Sequence, residues 1–452
     1  MMISPQTFAR YAAMRVPRYT SYPAAPHFSA AVDDTQYRSW LRALPSDGPV
    51  SVYLHIPFCG EMCWYCGCHT TVTRRRAPVS RNAATLAREI DLVASAIGRA
   101  LTVGHLHWGG GSPTLLTPDD VALIHNALKQ RFVLDSQGEG AVEIDPRTLT
   151  PELATAFARA GVNRASLGVQ TFDRQVQAAI NRVQSFEMTA SAVRTLRDRG
   201  IPAINFDLVY GLPFQTVQSC LDTIEKALRL QHDRFAVFGY AHVPEFKRHQ
   251  RNIDETALPG PAERHDQSNA IARALTARGY RQIGLDHFAL PGDSLAAAEE
   301  SGTLHRNFQG YTTDQCATLL GFGASAVGTL PHAYVQNTTQ VGEYRRRIDA
   351  GSFALQRGRL LTAEDRLRRD VIERIMCDFR VDLNAVTAKH GLTAGFFRNE
   401  LARLTTLERD GIVHIAEGLV TIDETCWPLA RTVASVFDAY LQPEEQRHAA
   451  AI

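Results

Sequence analysis

Tyr53-Leu54-His55-Ile56-Pro57-Phe58-Cys59-Gly60-Glu61-Met62-Cys63-Trp64-Tyr65-Cys66-Gly67-Cys68 is the stretch from which the fold and the chemistry of this chain can be read. Its first part, Val52–Ile56, is an apolar run bounded by proline and reads as a buried strand. The strand feeds directly into a loop with four cysteines in ten residues, out of eight in the chain. Disulfide staples suit small secreted domains, not a chain of 452 residues. Structural zinc usually needs a second, distant Cys/His pair, and none of matching form follows. Closely spaced thiolates are what iron–sulfur clusters use, so the spacing favours an Fe–S cluster over zinc.

Three thiolates leave one iron of a [4Fe–4S] cube without a protein ligand, the kind of open position that a substrate-binding metal site keeps. One residue, Gly67, separates Cys66 from Cys68, which is too little for both to reach different corners of one cube. The expected ligands are therefore Cys59, Cys63 and Cys66, with Cys68 beside them as a functional or substrate-pocket residue. Trp64 and Tyr65 lie between ligands, where an aromatic ring can shield a cluster or lie against a ligand ring; simple packing explains Trp64 equally well. The scattered Cys220, Cys316, Cys377 and Cys426 read as small buried hydrophobes.

Outward from this loop, strand-like runs alternate with amphipathic helices. Strands are expected at Val52–Ile56, His105–Trp108, Ala141–Ile144, Arg164–Val169, Ala203–Val209, Arg234–Phe238 and Gln282–Leu285. Helices are expected after Ser80 (taken as an N-cap), and at Pro118–Gln130, Pro151–Ala160, Phe186–Gly200, Val217–Leu230 and Ala262–Gly279. Such alternation implies parallel β/α units, in a barrel or a doubly wound sheet. Polar residues follow each successive strand (His55, Gly109–Gly111, Glu143 with Asp145, Gln170, Asp207, Tyr240 with His242), as the catalytic face of a barrel requires. The fold class is thus α/β: a partial (β/α)6-type barrel with extra strands, plus a mainly helical C-terminal domain. Three parts are expected: an N-terminal segment (1–50), the barrel with the site (51–360), and the helical domain with a short hairpin (361–452).

In that last part helices are expected at Ala363–Phe379, Leu383–His390, Ala394–Asp410 and Pro428–Leu441, with strands at Val413–Ile415 and Leu419–Ile422. This layout resembles a winged helix, which raises a zinc-bearing DNA-binding protein as a rival. Residues 361–452 carry 11 Lys+Arg against 15 Asp+Glu, and phosphate contacts dominate nucleic-acid affinity. A cover for the barrel fits better than a DNA reader. The whole chain has a net charge of +1, offering no general field for nucleic acid or anionic membrane. It has no run of 18 apolar residues and no apolar leader at the N-terminus, so a cytoplasmic protein is expected.

Trp108-Gly109-Gly110-Gly111-Ser112-Pro113-Thr114 is neither a P-loop nor a dinucleotide fingerprint. Glycines let the backbone approach a ligand closely, and beside a cluster loop they suggest a grip on a zwitterionic, amino-acid-like ligand. Glu143 and Asp207 can accept from an ammonium or ribose hydroxyls, and Arg182 can pair with a carboxylate. Arg74–Arg76 and Arg345–Arg347 read as solvated faces, with guidance of an acidic substrate an alternative for the first.

Taken together, these residues resemble the radical S-adenosylmethionine (radical SAM) superfamily, through Cys59-x3-Cys63-x-aromatic-Cys66. More closely they resemble its oxygen-independent coproporphyrinogen III oxidases. The resemblance runs through Pro17-Arg18-Tyr19-Thr20-Ser21-Tyr22-Pro23, the quoted cysteine stretch, His107-Trp108-Gly109-Gly110-Gly111 and Glu143-Ile144-Asp145-Pro146-Arg147. It continues through Gly168-Val169-Gln170, Asp207–Pro213, Tyr240-Ala241-His242 and His305–Thr312, nearly the whole chain. It implies a [4Fe–4S] cluster on Cys59, Cys63 and Cys66 and two SAM molecules. Tyr53, Gly110, Glu143 and Val327 would line the first SAM; Tyr65, Gly111, Ser112, Gln170, Arg182, Asp207 and Ala241 would line the second. Tyr53 and Cys68 are the catalytic candidates. Ser112 stands where Thr is expected and Val327 where Ile is more familiar, both mild departures.

The implied reaction turns two propionates of coproporphyrinogen III into vinyl groups, giving protoporphyrinogen IX for haem biosynthesis without O2. The implied partners are that substrate and an electron donor the sequence does not identify; the implied state is a monomer. A haem-binding and transfer chaperone of the same superfamily is the alternative. That branch usually lacks both the cysteine matching Cys68 and the Pro17–Pro23 segment, and this sequence has both.

Overall fold

Val50–Ile56 (VSVYLHI) is buried at all but one position and forms a strand, as an apolar run in the middle of a parallel sheet should. It is β1 in the computed structural model, which describes residues 3–441. After it come β2 Thr102–Gly110, β3 Val133–Ile144, β4 Arg164–Gln170, β5 Ala203–Tyr210 and β6 Arg234–Gly239. These six lie side by side in chain order and pair parallel throughout. On the other flank of β1 runs β7 Leu319–Phe322, parallel to it. Then β8 Val327–Leu330, β9 Ala333–Asn337 and β10 Leu355–Leu360 form an antiparallel meander. This is the expected partial barrel with extra strands.

Helices Pro118–Arg131, Pro151–Arg159, Phe186–Asp198 and Val217–Leu228 connect these strands. Thr117, Thr150, Ser185 and Thr216 cap them, each side chain accepting from a first-turn N–H, worth about 1 kcal/mol apiece. Trp108 on β2 is fully buried and meets Phe157 edge-on at 5.7 Å, while Phe206 and Phe235 fill the sheet beyond. Each such ring contributes about 1.5–3 kcal/mol by leaving water.

Two compact units emerge, and neither is a contiguous run. The sheet unit holds Phe28–Pro259 and Cys316–Leu360. The other gathers the described residues up to His27, Gly260–Gln315, and those from Leu361 onward. In this second unit Leu367, Val371, Ile375 and Met376 of helix Ala363–Asp378 pack with Phe397, Leu404, Val433 and Phe437. Tyr11, Tyr19 and Tyr22 enter the same core, so apolar burial ties the N-terminal segment to the C-terminal helices.

Several local expectations change. Ser80 does not cap a helix: the helix runs Arg76–Ile97, and the Ser80 hydroxyl donates to Asp120 Oδ2 at 3.0 Å. The strand expected at Gln282–Leu285 is observed at Arg281–Ile283, an edge strand of the twelve-stranded sheet that pairs antiparallel with His287–Ala289. Its apolar run is too short to specify a partner. The expected helix from Ala394 opens as a 3-10 turn, Ala394–Phe397, before Arg398–Arg409. Among the described residues near the end only Ala430–Ser435 is α-helical, because Pro428 sits in the preceding turn and supplies no N–H. No helix of the described residues is long and apolar enough to cross a membrane.

Candidate active site

Tyr53 and His55 alternate on β1 and so share one of its faces. The Tyr53 hydroxyl lies 3.1 Å from His55 Nδ1, and His55 Nε2 lies 3.0 Å from the His69 carbonyl. A carbonyl only accepts, so Nε2 carries the proton and Nδ1 accepts from Tyr53. Burial lowers the pKa of this imidazole.

Next to β1, β2 ends in Gly109-Gly110-Gly111, and the neighbours explain the glycines. A Cβ at Gly109 would stand 2.6 Å from Glu143 Oε1, and one at Gly110 2.7 Å from the His55 ring. At Gly111 it would stand 2.5 Å from the Phe58 carbonyl oxygen. Gly110 also has φ +109°, a conformation side chains rarely adopt. Glu143, on β3, accepts from the Gly110 N–H at 3.1 Å and from His107 Nε2 at 3.2 Å. Tyr53, Gly110 and Glu143 thus form one polar cluster. Gly321 on β7 lies opposite Tyr53, and a Cβ there would stand 2.5 Å from the Val327 carbonyl oxygen, which puts Val327 alongside.

The glycine loop is pinned to the cysteine loop: Gly111 N–H donates to Ile56 and Ser112 N–H to Phe58. Each of the three proposed ligand sulfurs receives a donor. Thr70 Oγ1 lies 3.2 Å from Cys59 Sγ, Arg182 Nη1 3.4 Å from Cys63 Sγ, and the Cys68 N–H 3.3 Å from Cys66 Sγ. Burial pushes the Cys59 thiol up to about 11, against the Thr70 hydroxyl. Cys66 is pulled down to about 6, first by the Cys68 side chain and then, against burial, by the Cys68 N–H, His249 and Lys247. Cys68 itself is exposed, and its carbonyl accepts from Lys247 Nζ at 3.2 Å.

Among the described residues no three Cys, His, Asp or Glu side chains converge on a point where a single metal ion could bind. A cube presents a separate iron to each thiolate, so its ligands need not converge. Three thiols on one short loop, each met by a hydrogen-bond donor, are a donor set suited to such a cluster and not to mononuclear zinc.

A second polar cluster lies at the ends of β4 and β5. Arg182 is buried; its Nη2 donates to the Gly168 carbonyl at 2.7 Å, and its Nη1 approaches Asp145 Oδ2 at 3.4 Å. Burial works against the Arg182 charge, but Tyr65, Asp145 and Cys63 outweigh it and raise its pKa. Asp145 is likewise held below the usual carboxylate range despite burial, by Arg147 and Arg182. Gly168 lies opposite Asp207, and a Cβ on Gly168 would meet Gln170 Nε2 at 2.8 Å and Arg182 Nη2 at 2.9 Å. Asp207 accepts from Ser166 Oγ and Asn205 Nδ2, both at 2.8 Å. Gln250 Nε2 joins the carbonyls of Tyr65 (3.1 Å) and Ala241 (3.2 Å). Trp64 and Tyr65 both pack against the apolar cluster that includes Val176, Ile180 and Val209.

Sequence reasoning did not find Thr70, Gln250, His249 or Lys247. Gln250, His249 and Lys247 reach the cysteine loop from far along the chain and Thr70 lies just beyond it, and none sits in a motif, so the sequence carries no signal for them. The arginine runs are solvated: Arg74 pairs with Glu61, and Arg346 and Arg347 with Glu343. Cys220, Cys377 and Cys426 are buried and Cys316 half-buried; burial pushes Cys220 up to about 12, a neutral packing thiol.

Residues 53–227 match the Radical SAM superfamily. The chain is 54% identical to the oxygen-independent coproporphyrinogen III oxidase of Bradyrhizobium diazoefficiens, over 98% of each chain. It is 45% identical to coproporphyrinogen III oxidase, anaerobic 1, of Cereibacter sphaeroides, over 95% of each. Among solved structures, coproporphyrinogen III oxidase (HemN) from Escherichia coli, described as a radical SAM enzyme, superposes with a TM-score of 0.90. That match has 36% identity and covers 95% of this chain and all of the other.

Proposed function

Since the chain belongs to the oxygen-independent coproporphyrinogen III oxidase family of radical SAM enzymes, we propose the following account of how its residues carry that activity. The enzyme is an oxidoreductase of haem biosynthesis that converts coproporphyrinogen III to protoporphyrinogen IX. Its cofactors are a [4Fe–4S] cluster and SAM. When bound, they would supply a 5′-deoxyadenosyl radical able to take a hydrogen atom from the β-carbon of a propionate, which then loses CO2 and passes one electron to a one-electron acceptor, leaving a vinyl group.

Cys59, Cys63 and Cys66 would hold the cluster. Tyr53, Gly110, Glu143 and Val327 seat the first SAM. The Glu143 carboxylate, already oriented by the Gly110 N–H and His107, is placed to accept from its ammonium. Tyr65, Gly111, Ser112, Gln170, Arg182, Asp207 and Ala241 seat the second. There the Arg182 guanidinium, whose buried Nε has no partner among the described residues, can take a carboxylate, and Asp207 ribose hydroxyls. Cys68 stays off the cluster and works on the substrate side. An external donor supplies electrons, and the enzyme acts as a cytoplasmic monomer.

One observation supports the residue assignments most: three thiols on a single loop, each with its own donor, locked by backbone bonds to a glycine cradle that faces Glu143. Strictly anaerobic incubation with coproporphyrinogen III, SAM and a reductant, followed by mass measurement, tests the function. Loss of two CO2 equivalents is expected; stoichiometric haem binding without vinyl product would overturn it.

A further inference from the structure

The cysteine loop is held from two sides, and one of the holds lies outside every motif. Toward the start of the loop, Asn181 Nδ2 donates to the Met62 carbonyl at 2.9 Å and the Trp64 N–H to the Ile180 carbonyl at 2.9 Å. The half from Tyr65 to Cys68 is held by a different stretch, Lys247-Arg248-His249-Gln250, which opens the short 3-10 turn Arg248–Asn252. Loop and turn both belong to the sheet unit.

Three side chains of that stretch reach three carbonyls of the loop. Gln250 Nε2 donates to Tyr65 at 3.1 Å, His249 Nε2 to Cys66 at 2.7 Å and Lys247 Nζ to Cys68 at 3.2 Å. A carbonyl only accepts, so His249 carries a proton on Nε2. Tyr65, Cys66 and Cys68 lie in no helix or strand, so their carbonyls enter no backbone ladder and take side-chain donors instead. Gln250 is 1% exposed and uses its whole amide: Nε2 also donates to the Ala241 carbonyl at 3.2 Å, and Oε1 accepts from the Val243 N–H at 2.6 Å. One buried, fully satisfied side chain thus joins the cysteine loop to the chain just beyond β6, and such a group is rigidly placed.

Charge follows the same path. Cys68 links an ammonium to a ligand sulfur: its carbonyl takes Lys247 Nζ, and its N–H lies 3.3 Å from Cys66 Sγ. The downward pull of His249 and Lys247 on the Cys66 thiol points the same way. Reduction makes a cluster more negative, so a fixed cation beside a ligand sulfur favours the reduced state and raises the potential.

We propose that Lys247, His249 and Gln250 form a positioning clip: they fix the Tyr65–Cys68 half of the cysteine loop against the chain beyond β6, and Lys247 raises the reduction potential of the cluster bound there. The cluster rests on the function proposed above; the fixing of the loop does not.

The test uses full-length protein with and without its cluster. Without it, hydrogen exchange of the peptide covering Tyr65–Cys68 is followed by mass spectrometry. Gln250→Ala and His249→Ala are each expected to speed that exchange roughly tenfold, while the Gly111 and Ser112 amides, bonded to Ile56 and Phe58, exchange as in the wild type. After anaerobic reconstitution, iron and sulfide are counted and the cluster is titrated by electron paramagnetic resonance. Lys247→Met is expected to keep its iron and to shift the one-electron equilibrium toward the oxidised state on the order of tenfold, about 59 mV, with Lys247→Arg restoring the potential. Unchanged exchange in the Gln250 and His249 variants, or an unmoved or higher potential in iron-loaded Lys247→Met, overturns the proposal. If Gln250→Ala does not fold, half-buried His249 carries the exchange measurement; if Lys247→Met loses its iron, exchange decides, faster exchange supporting the clip and unchanged exchange refuting it. Wild-type protein that assembles no cluster refutes the function instead; a wild-type cluster whose potential Lys247→Met leaves unmoved refutes the clip's tuning alone.

Discussion

Glu89 offers a quantitative test of how the sheet unit is held together. It lies in helix Arg76–Ile97 at 3% exposure. Its Oε2 accepts from the Gly323 N–H and the Tyr344 hydroxyl, both at 2.7 Å, and its Oε1 from Asn337 Nδ2 at 2.6 Å. The carboxylate thus ties a helix to the loop that leads from β7 to Val327. Burial raises its pKa from 4.5 to about 7, against the Tyr344, Gly323 and Asn337 hydrogen bonds that favour the charge. The unfolded carboxyl ionises first, so the folded state binds the extra proton through this window. Its stabilising effect is complete below pH 4.5 and is lost as pH rises through 7. A rise of that size is worth about 3 kcal/mol. Glu89→Gln does not titrate, although its amide nitrogen cannot accept as a carboxylate oxygen does. Anaerobic urea denaturation of both proteins from pH 4.5 to 8.5 should therefore show the stability gap between them moving by about 3 kcal/mol in the variant's favour from the acid to the alkaline end. A difference that stays flat with pH would refute the reasoning.

Cys59→Ala, Cys63→Ala and Cys66→Ala should each fail to assemble a SAM-cleaving cluster, whereas Cys68→Ser should keep the iron and lose turnover; iron loss in Cys68→Ser would make it a ligand. Gly110→Ala adds a Cβ at 2.7 Å from His55 and strains a φ of +109°. It should cost about 1–3 kcal/mol in a melting experiment and weaken SAM in equilibrium dialysis; unchanged values in both would show that the cradle has slack. Thr70→Val removes the donor to Cys59 Sγ. The reduced cluster loses a stabilising hydrogen bond, so its potential should fall in an anaerobic redox titration, and an unchanged or higher potential would be the contrary result.

Much of the site was legible because its parts are local. Cys59, Cys63 and Cys66 occupy one loop, and the strand ends carrying Gly110, Glu143, Gln170 and Asp207 each follow an apolar run. Parallel β/α units then place successive strand ends on one face whatever the loop details. The Ser80 cap was misread because a serine at a helix start has the same local pattern as one inside the first turns. The strand at Arg380–Asp382 was missed because three residues carry no periodicity.

By itself, then, the sequence determined the order of the six β/α strands, the cysteine loop and the glycine loop, since periods of 2 and 3.6 and turn chemistry act over a few residues. Tertiary structure decided which distant groups meet. It joined Tyr11, Tyr19 and Tyr22 to the C-terminal helices. It aimed Arg182 at the Cys63 sulfur and closed the Glu89 network over more than 200 residues. Those encounters follow from packing apolar faces out of water, which constrains partners far apart in the chain and leaves no mark on the pattern of either one.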